Sequence, residues 1–153
     1  MSGDTDLIKL YSARILALAA DIPHLGHLDE PDATVKRRSP LCGSTVTVGV
    51  RVADGRLAQL GQDVKACALG QAAAAVMGAA ALGTTLEQVE KARDQLRAML
   101  KNHGPVPDPP FDGFEVLTPA VEYKNRHASI MLSIEALAEA MQHASAPVEV
   151  SKP

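Results

Sequence analysis

The amino-acid sequence predicts an α+β fold, in which a small antiparallel sheet has helices packed on one face. Valines alternate with polar or small residues over 45–52, which is the period of a half-buried strand, whereas residues 68–82 are rich in Ala and favour a helix. The length of 153 residues suits one domain. We expect its core over about 7–143 and a flexible tail over 144–153.

The sheet is expected to follow one N-terminal helix. Apolar residues at helical spacing predict that helix over 7–19. Residues 34–37 are a candidate first strand, and residues 56–65 are a candidate return strand after the alternating valines. Asp54-Gly55, between the last two strands, is a dipeptide typical of tight hairpin turns.

Helix signals dominate the remaining sequence. Gly83 is predicted to end the Ala-rich helix, and Thr84 and Glu87 have the spacing of a capping box for the next one. That helix is predicted to end at Asn102-His103-Gly104-Pro105, which is a typical stop signal.

A proline-rich stretch separates this helix from the last one. Four prolines lie close together in it, so residues 106–114 are predicted to be a surface loop without regular structure. The last helix is predicted from about Ala128 to His143. Its apolar face would consist of Ile130, Ile134, Leu137 and Met141.

Composition and charge exclude several classes of function. The net charge is −3, and the basic run Lys36-Arg37-Arg38 has no aromatic residue beside it, so nucleic-acid binding is not expected. No apolar run approaches the ~20 residues of a membrane span. The acidic start Met1–Asp6 differs from a secretory signal, so a cytoplasmic location is expected. In that compartment two cysteines are free thiols or ligands more often than a disulfide.

The two cysteines are candidate ligands at element ends. Cys42 lies between Pro40 and Gly43 just before the alternating strand, where it is either exposed beside a turn or buried at the strand start. Cys67 lies where the Ala-rich helix begins, so free N–H groups would favour its thiolate. The alternative is a small core residue. The 25-residue separation matches no zinc-finger spacing.

His127 is the third candidate. It directly precedes the last helix, a position that favours the neutral, metal-binding imidazole. A surface histidine that caps the helix is the alternative. There is no Walker-type phosphate loop and no GxSxG elbow.

The order of these motifs resembles the iron–sulfur cluster assembly scaffolds of the IscU, SufU and NifU N-terminal type, over residues 8–141. Cys67-Ala68-Leu69-Gly70-Gln71-Ala72 is similar to the family's Gly-Cys-Ala-Ile-Ser-x-Ala, and His127-Ala128-Ser129-Ile130 resembles its His-Cys-Ser-Ile. Pro40-Leu41-Cys42-Gly43, the Asp54-Gly55 turn and Thr84-Thr85-Leu86-Glu87 occur in the family's order.

The resemblance implies a site for a metal or cluster. Relatives hold a nascent cluster, or in some branches zinc, between three cysteines and a fourth group, because soft thiolates suit both. By position, Cys42 and Cys67 match the first two cysteines and His127 matches the neighbouring histidine. The implied cargo is a labile iron–sulfur cluster, of the 2Fe–2S type, or zinc. The implied partners are a cysteine desulfurase and cluster-accepting apoproteins.

The sequence departs from the family pattern at the site. Ala128 stands where the third cysteine belongs, and Ser44 replaces the aspartate of Cys-Gly-Asp. A shift of one residue would instead put His127 in the third cysteine's place, with Arg126 matching the basic residue before it. Residues 117–121 match the family's Leu-Pro-Pro-Val-Lys segment poorly.

Three functions are therefore considered. The first is a cluster scaffold or carrier that uses Cys42, Cys67 and His127, with an external thiol or water completing the site. The second is a zinc-containing sulfur acceptor for a desulfurase, since three protein ligands and one open position are typical of reactive zinc. The third is a metal-free interaction module. A binding role is favoured over an enzymatic one, and the three side chains are predicted to converge at one end of the sheet.

Overall fold

The computed structural model describes residues 12–40 and 43–145, and a three-stranded antiparallel sheet runs through their first half. Its strands, in spatial as well as chain order, are β1 (Ala33–Arg38), β2 (Thr45–Ala53) and β3 (Arg56–Lys65). Val46, Val48 and Val50 are fully buried on one face. The predicted α+β class and the strand positions are confirmed, because the alternation of valines follows the pleat of β2.

The Asp54-Gly55 turn joins β2 to β3 as predicted. Asp54 has φ 53° and Gly55 has φ 77°, so both central residues adopt the left-handed conformation that a two-residue hairpin turn requires. A register shift follows at once: Arg51 pairs with Gln59, whereas Val52 pairs with Leu57. This irregularity ends before the opposite end of the sheet, where the pairing is regular.

Helices make up most of the remaining described residues. The α-helices are α1 (Ala13–Ala19), α2 (Ala68–Ala81), α3 (Leu86–Asn102) and α4 (His127–Ser145), and two 3₁₀ segments, Phe111–Glu122 and Lys124–Arg126, precede α4. Among these helices, none has both the length and the apolar character that crossing a bilayer demands.

The helix that ends at Ala19 begins at Ala13, within the range predicted for it. Ser12 is extended, at φ −61° and ψ 165°, and its hydroxyl accepts a hydrogen bond from the Ile15 N–H at 3.3 Å. Ser12 is therefore the N-cap rather than a residue within the helix. Residues 7–11 of the predicted helix lie outside the described part of the chain.

The last helix, α4, lies at the centre of the fold. It packs against β1 and β2 on one side and against α2 and α3 on others. The predicted apolar face is buried, and Met131 and Leu132, outside that face, are buried too. The helix that covers the sheet is therefore α4, with the Ala-rich α2 beside it. Gly78 of α2 still lies close to β3, since an added Cβ would come 2.8 Å from the Gln62 Nε2.

The capping box of α3 lies one residue later than predicted. Thr85 is the N-cap: its hydroxyl accepts from the Gln88 N–H at 3.2 Å, and Gln88 Oε1 accepts from the Thr85 N–H at 2.9 Å. Thr84 is buried, and its hydroxyl donates to the Ala81 carbonyl at 2.6 Å. Thr84-x-x-Glu87 and Thr85-x-x-Gln88 both fit the pattern, and the buried Thr84 binds back to α2 instead.

The prediction of an irregular surface loop over 106–114 is wrong from residue 111 onward. Phe111 and Phe114 are buried with ring centroids 6.4 Å apart, at the start of the 3₁₀ segment Phe111–Glu122. Because these rings need a core to cover them, the segment packs on α2 and α3. The Lys91 ammonium bonds the Asp108 carboxylate at 2.9 Å, and this hydrogen bond lowers the pKa of Asp108 and raises that of Lys91.

Leu137 and Leu16 provide a matched test of this packing. Leu137 is completely buried in α4, whereas Leu16 on α1 is 51% exposed. Leu137→Ala is expected to lower the free energy of unfolding by about 2–5 kcal/mol, because it leaves a cavity in the core. Leu16→Ala is expected to change it by no more than about 0.5 kcal/mol. Urea denaturation of both variants measures the difference, and equal effects would contradict the central position of α4.

Candidate metal and cluster site

The sheet register brings the flanks of both cysteines to one end of the sheet. Arg38 pairs with Thr45, and Thr45 pairs with Lys65, so these three residues form a row across the three strands. The β1–β2 connection, which contains position 42, leaves the sheet at this row. Cys67 follows Lys65 by two residues and leaves at the same row.

The β1–β2 connection is closed at its base by hydrogen bonds between main-chain groups. The Ser39 N–H donates to the Ser44 carbonyl at 2.8 Å, and the Gly43 N–H donates to the Ser39 carbonyl at 3.0 Å. Gly43 has φ 74°, a conformation that glycine adopts without strain. Cys42 itself lies outside the described residues, so its flanking residues alone define where this connection lies.

Cys67 is the N-cap of α2. Its backbone is extended, at φ −67° and ψ 171°, and its half-buried side chain makes no capping hydrogen bond. The sulfur lies 3.5 Å from the Ser129 hydroxyl, which in turn donates to the Ser44 hydroxyl at 3.3 Å. A chain of three polar side chains therefore connects the start of α2, the first turn of α4 and the connection that contains Cys42.

Close packing behind Cys67 holds this arrangement together. Gly70, one turn into α2, faces Ser129: an added Cβ would come 2.6 Å from the Ser129 Oγ and 2.8 Å from the Ala66 Cβ. Real side chains do not tolerate such distances, so a glycine is needed for α2 and α4 to approach each other here. The position of the sulfur is thus fixed by the packing of the two helices.

His127 is the first residue of α4, one residue earlier than the predicted helix start. Its side chain is buried, with an exposed fraction of 2%. Nε2 lies 3.0 Å from the Ala120 carbonyl and 3.2 Å from the Val121 carbonyl. Since carbonyls only accept, Nε2 carries a proton, and in the neutral ring the lone pair is then on Nδ1. That Nδ1 is buried and has no hydrogen-bond partner in the described structure.

The structure describes two of the three predicted site residues, Cys67 and His127, and not Cys42. Cys67 contacts Ser129, two residues after His127, so both belong to elements that meet at the same end of the sheet. Among residues 12–40 and 43–145, no three His, Cys, Asp or Glu side chains form a group that could hold a metal ion. The predicted site therefore depends on Cys42, whose convergence with the other two residues stays a prediction.

Sequence reasoning missed the part that Ser129 plays. Ser129 belongs to the His127–Ile130 string, yet its hydroxyl is the contact that joins Cys67 to Ser44. The sequence did indicate that the two side chains have different contacts, because residues two apart on a helix point to different sides. What the sequence lacked was the identity of those contacts.

Comparison with known proteins identifies the family. The sequence pattern of the NifU-like N terminal domain family matches residues 10–142, which is most of the chain. The chain belongs to the NifU-like N-terminal domain family. This membership supports a place for the NifU-like domain in iron–sulfur cluster assembly. A search of curated protein sequences found no match.

Solved structures agree with this assignment. The N-terminal NifU-like protein of Brucella abortus is 40% identical to this NifU-like domain, with a TM-score of 0.88 over 91% of this chain and 96% of that one. A protein described as hypothetical is 23% identical, with a TM-score of 0.76 over 88% and 98% of the two chains. A candidate scaffold protein of the SUF system from Fervidobacterium islandicum is 18% identical, with a TM-score of 0.78 over 88% and 98%. The last two show the fold alone.

The contact between Gly70 and Ser129 is testable by a double-mutant cycle. Gly70→Ala is expected to lower the free energy of unfolding by about 1–2 kcal/mol, because the strain of overpacking exceeds the ~1 kcal/mol gain in helix propensity. Ser129→Ala removes the nearest atom, so the double variant should recover at least about 0.5 kcal/mol of that loss. Thermal or urea denaturation measures all four proteins, and simple additivity would contradict the contact.

Proposed function

We propose that this NifU-like domain is an iron–sulfur cluster scaffold or carrier that binds a labile 2Fe–2S cluster or a metal ion at Cys42, Cys67 and His127. The observation that carries the proposal is the state of His127. Its Nε2–H is held by two carbonyls, while its buried Nδ1 has no hydrogen-bond partner among the described residues. A buried polar atom without a partner is costly, and a metal bound there would remove that cost.

The donor set suits the cargo. Cysteine sulfur is a soft ligand that binds iron–sulfur clusters and zinc, and the neutral imidazole nitrogen binds both metals. The carbonyls of Ala120 and Val121 orient the ring from behind, as hydrogen-bonded carbonyls do for many metal-binding histidines. His127 is thus oriented for ligation before any metal is present.

The proposed site would release its cargo readily. Ala128 offers no third thiolate, so two sulfurs and one nitrogen from the protein leave one ligand position to an external molecule. An exchangeable ligand exposes iron to solvent and to acceptor proteins. This property suits a carrier that receives sulfur through a cysteine desulfurase and delivers a cluster to apoproteins, which are the partners we propose.

Metal analysis of protein purified without air tests the proposal. Iron and acid-labile sulfide with a visible absorption spectrum are expected after anaerobic reconstitution. Zinc without iron or sulfide, retained after reconstitution, would favour the zinc-containing sulfur acceptor instead. Absence of both metals would favour a metal-free interaction module on the same fold.

Replacing the thiol at the start of α2 removes one of the two sulfur ligands. Cys67→Ser is expected to bind less than about a tenth of the iron and sulfide of the parent, because a serine hydroxyl is a hard, weak ligand for both metals. Cys42→Ser should have the same effect. Iron, sulfide and zinc are measured after identical reconstitution, with circular dichroism as the control for folding. Parent-like binding by Cys67→Ser would refute the site.

The histidine is tested with a substitution that keeps its hydrogen bonds. In His127→Gln, the amide nitrogen is expected to donate to the carbonyls of residues 120 and 121, while the imidazole nitrogen that would bind the metal is replaced by a harder amide oxygen. The variant should fold, yet its cluster should decay at least about fivefold faster than that of the parent. His103→Gln, at an exposed histidine, is the matched control and should leave the decay unchanged. Equal decay of parent and His127→Gln would exclude His127 as a ligand.

A further inference from the structure

A cavity of about 330 Å³ lies beside the first turns of α4. Part of its wall is apolar and is formed by Ala128, Met131 and Leu132. Ser39 and Pro40, at the entrance to the connection that contains Cys42, line another part. The cavity therefore adjoins both the proposed cluster site and the position where the family has its third cysteine.

Cations dominate the rest of the lining. Arg37 is paired with Glu139 at 2.8 Å, and Arg97 is paired with Glu135 at 3.3 Å. Arg38, Lys101 and Lys124 also line the cavity, and these three have no ion pair with any residue of the described structure. In a chain with a net charge of −3, this local excess of positive charge favours an anionic ligand.

His127 connects this cavity to the proposed cluster site. His127 lines the same cavity, is 2% exposed, and has a buried Nδ1 without a hydrogen-bond partner among the described residues. The cavity thus combines cations that have no ion pair in the described structure, an apolar wall and an edge shared with the proposed cluster site. These features suit a molecule with anionic ends and a less polar centre.

We propose that this cavity binds a small thiol that carries carboxylate groups, and that the sulfur of this thiol occupies the ligand position left open at Ala128. The carboxylates would pair with Lys101, Lys124 and Arg38, as charge-assisted hydrogen bonds favour. On binding, the S–H bond would break with its proton passing to solvent, a bond between sulfur and iron would form, and any water held at that position would leave to solvent. The inference rests on the proposed function, since it names the external ligand of that same site.

The lining favours such a thiol over a simple anion. Inorganic phosphate or a small dicarboxylate would use the cations, but it has no apolar part to cover Met131 and Leu132. It would also bring only hard oxygen donors to a site whose protein ligands are soft. A carboxylated thiol uses both halves of the cavity and restores the missing sulfur.

Binding to the metal-free protein tests the cavity without any cluster. Reduced glutathione, a thiol with two carboxylates, is the probe, and calorimetry or NMR shifts of the residue 124–132 amides are the readouts. Saturable binding is expected, weaker at high salt because the contacts are ionic. Lys124→Gln should weaken it at least about fivefold, whereas Lys36→Gln, outside the cavity, should not. S-methylglutathione should bind the metal-free protein equally well, because its carboxylates are unchanged.

Cluster retention tests the role of the sulfur. With glutathione, the reconstituted cluster should last at least about five times as long as with the same concentration of either control compound. The controls are 2-mercaptoethanol, which lacks carboxylates, and S-methylglutathione, which lacks a free thiol. Lys124→Gln should abolish this difference. Ala128→Cys should retain the cluster equally well with or without glutathione, because the chain then supplies the sulfur itself.

The two experiments separate this inference from the proposed function. No saturable binding of glutathione, or equal binding by phosphate, overturns the inference whatever the cluster does. Equal cluster lifetimes in glutathione and 2-mercaptoethanol overturn it as well. If no thiol supports a cluster in the parent or in Ala128→Cys, the proposed function fails. Saturable, Lys124-dependent binding of glutathione to the metal-free protein would even then support the part of the inference that concerns the carboxylates.

Discussion

The burial of α4 on nearly every side is the constraint on which the rest of the structure depends. One side of the helix covers β1 and β2, and the others contact α2 and α3, so each neighbouring element takes its place from this helix. The helix approaches α2 closely at Gly70, where an added Cβ would come 2.6 Å from the Ser129 Oγ. The same first turn that fills the core therefore also sets the distance between Cys67 and the start of α4.

The sequence predicts the sheet better than it predicts the helix ends. The alternation of valines and the Asp54-Gly55 dipeptide are local signals, since each depends on neighbours along the chain, and both were confirmed. The capping box was wrong by one residue because two overlapping strings fit the pattern and tertiary burial of Thr84 decides between them. The 3₁₀ segment was missed because the four prolines before it suggest a loop, whereas the burial of Phe111 depends on helices distant in sequence.

The candidate site, like the fold, could be predicted from the sequence only in part. The place of Cys67 at a helix start was readable from the change of period in the sequence, and the structure has it as the N-cap of α2. The tautomer of His127 was not readable, because it is set by the carbonyls of residues 120 and 121, for which the sequence predicted no element. The cationic cavity was also missed: its charges come from β1, α3 and the segment before α4, and only folding brings them together.

The hydrogen bonds between His127 and the 3₁₀ segment have a consequence for communication across the domain. The imidazole is a rigid ring, so a force applied at Nδ1 is transmitted to the carbonyls of Ala120 and Val121. Those carbonyls belong to a 3₁₀ helix, whose own hydrogen bonds are weaker than those of an α-helix, and which contacts α2 and α3. In the proposed site, a metal at Nδ1 would therefore be separated by one rigid ring from a segment that packs on α2 and α3.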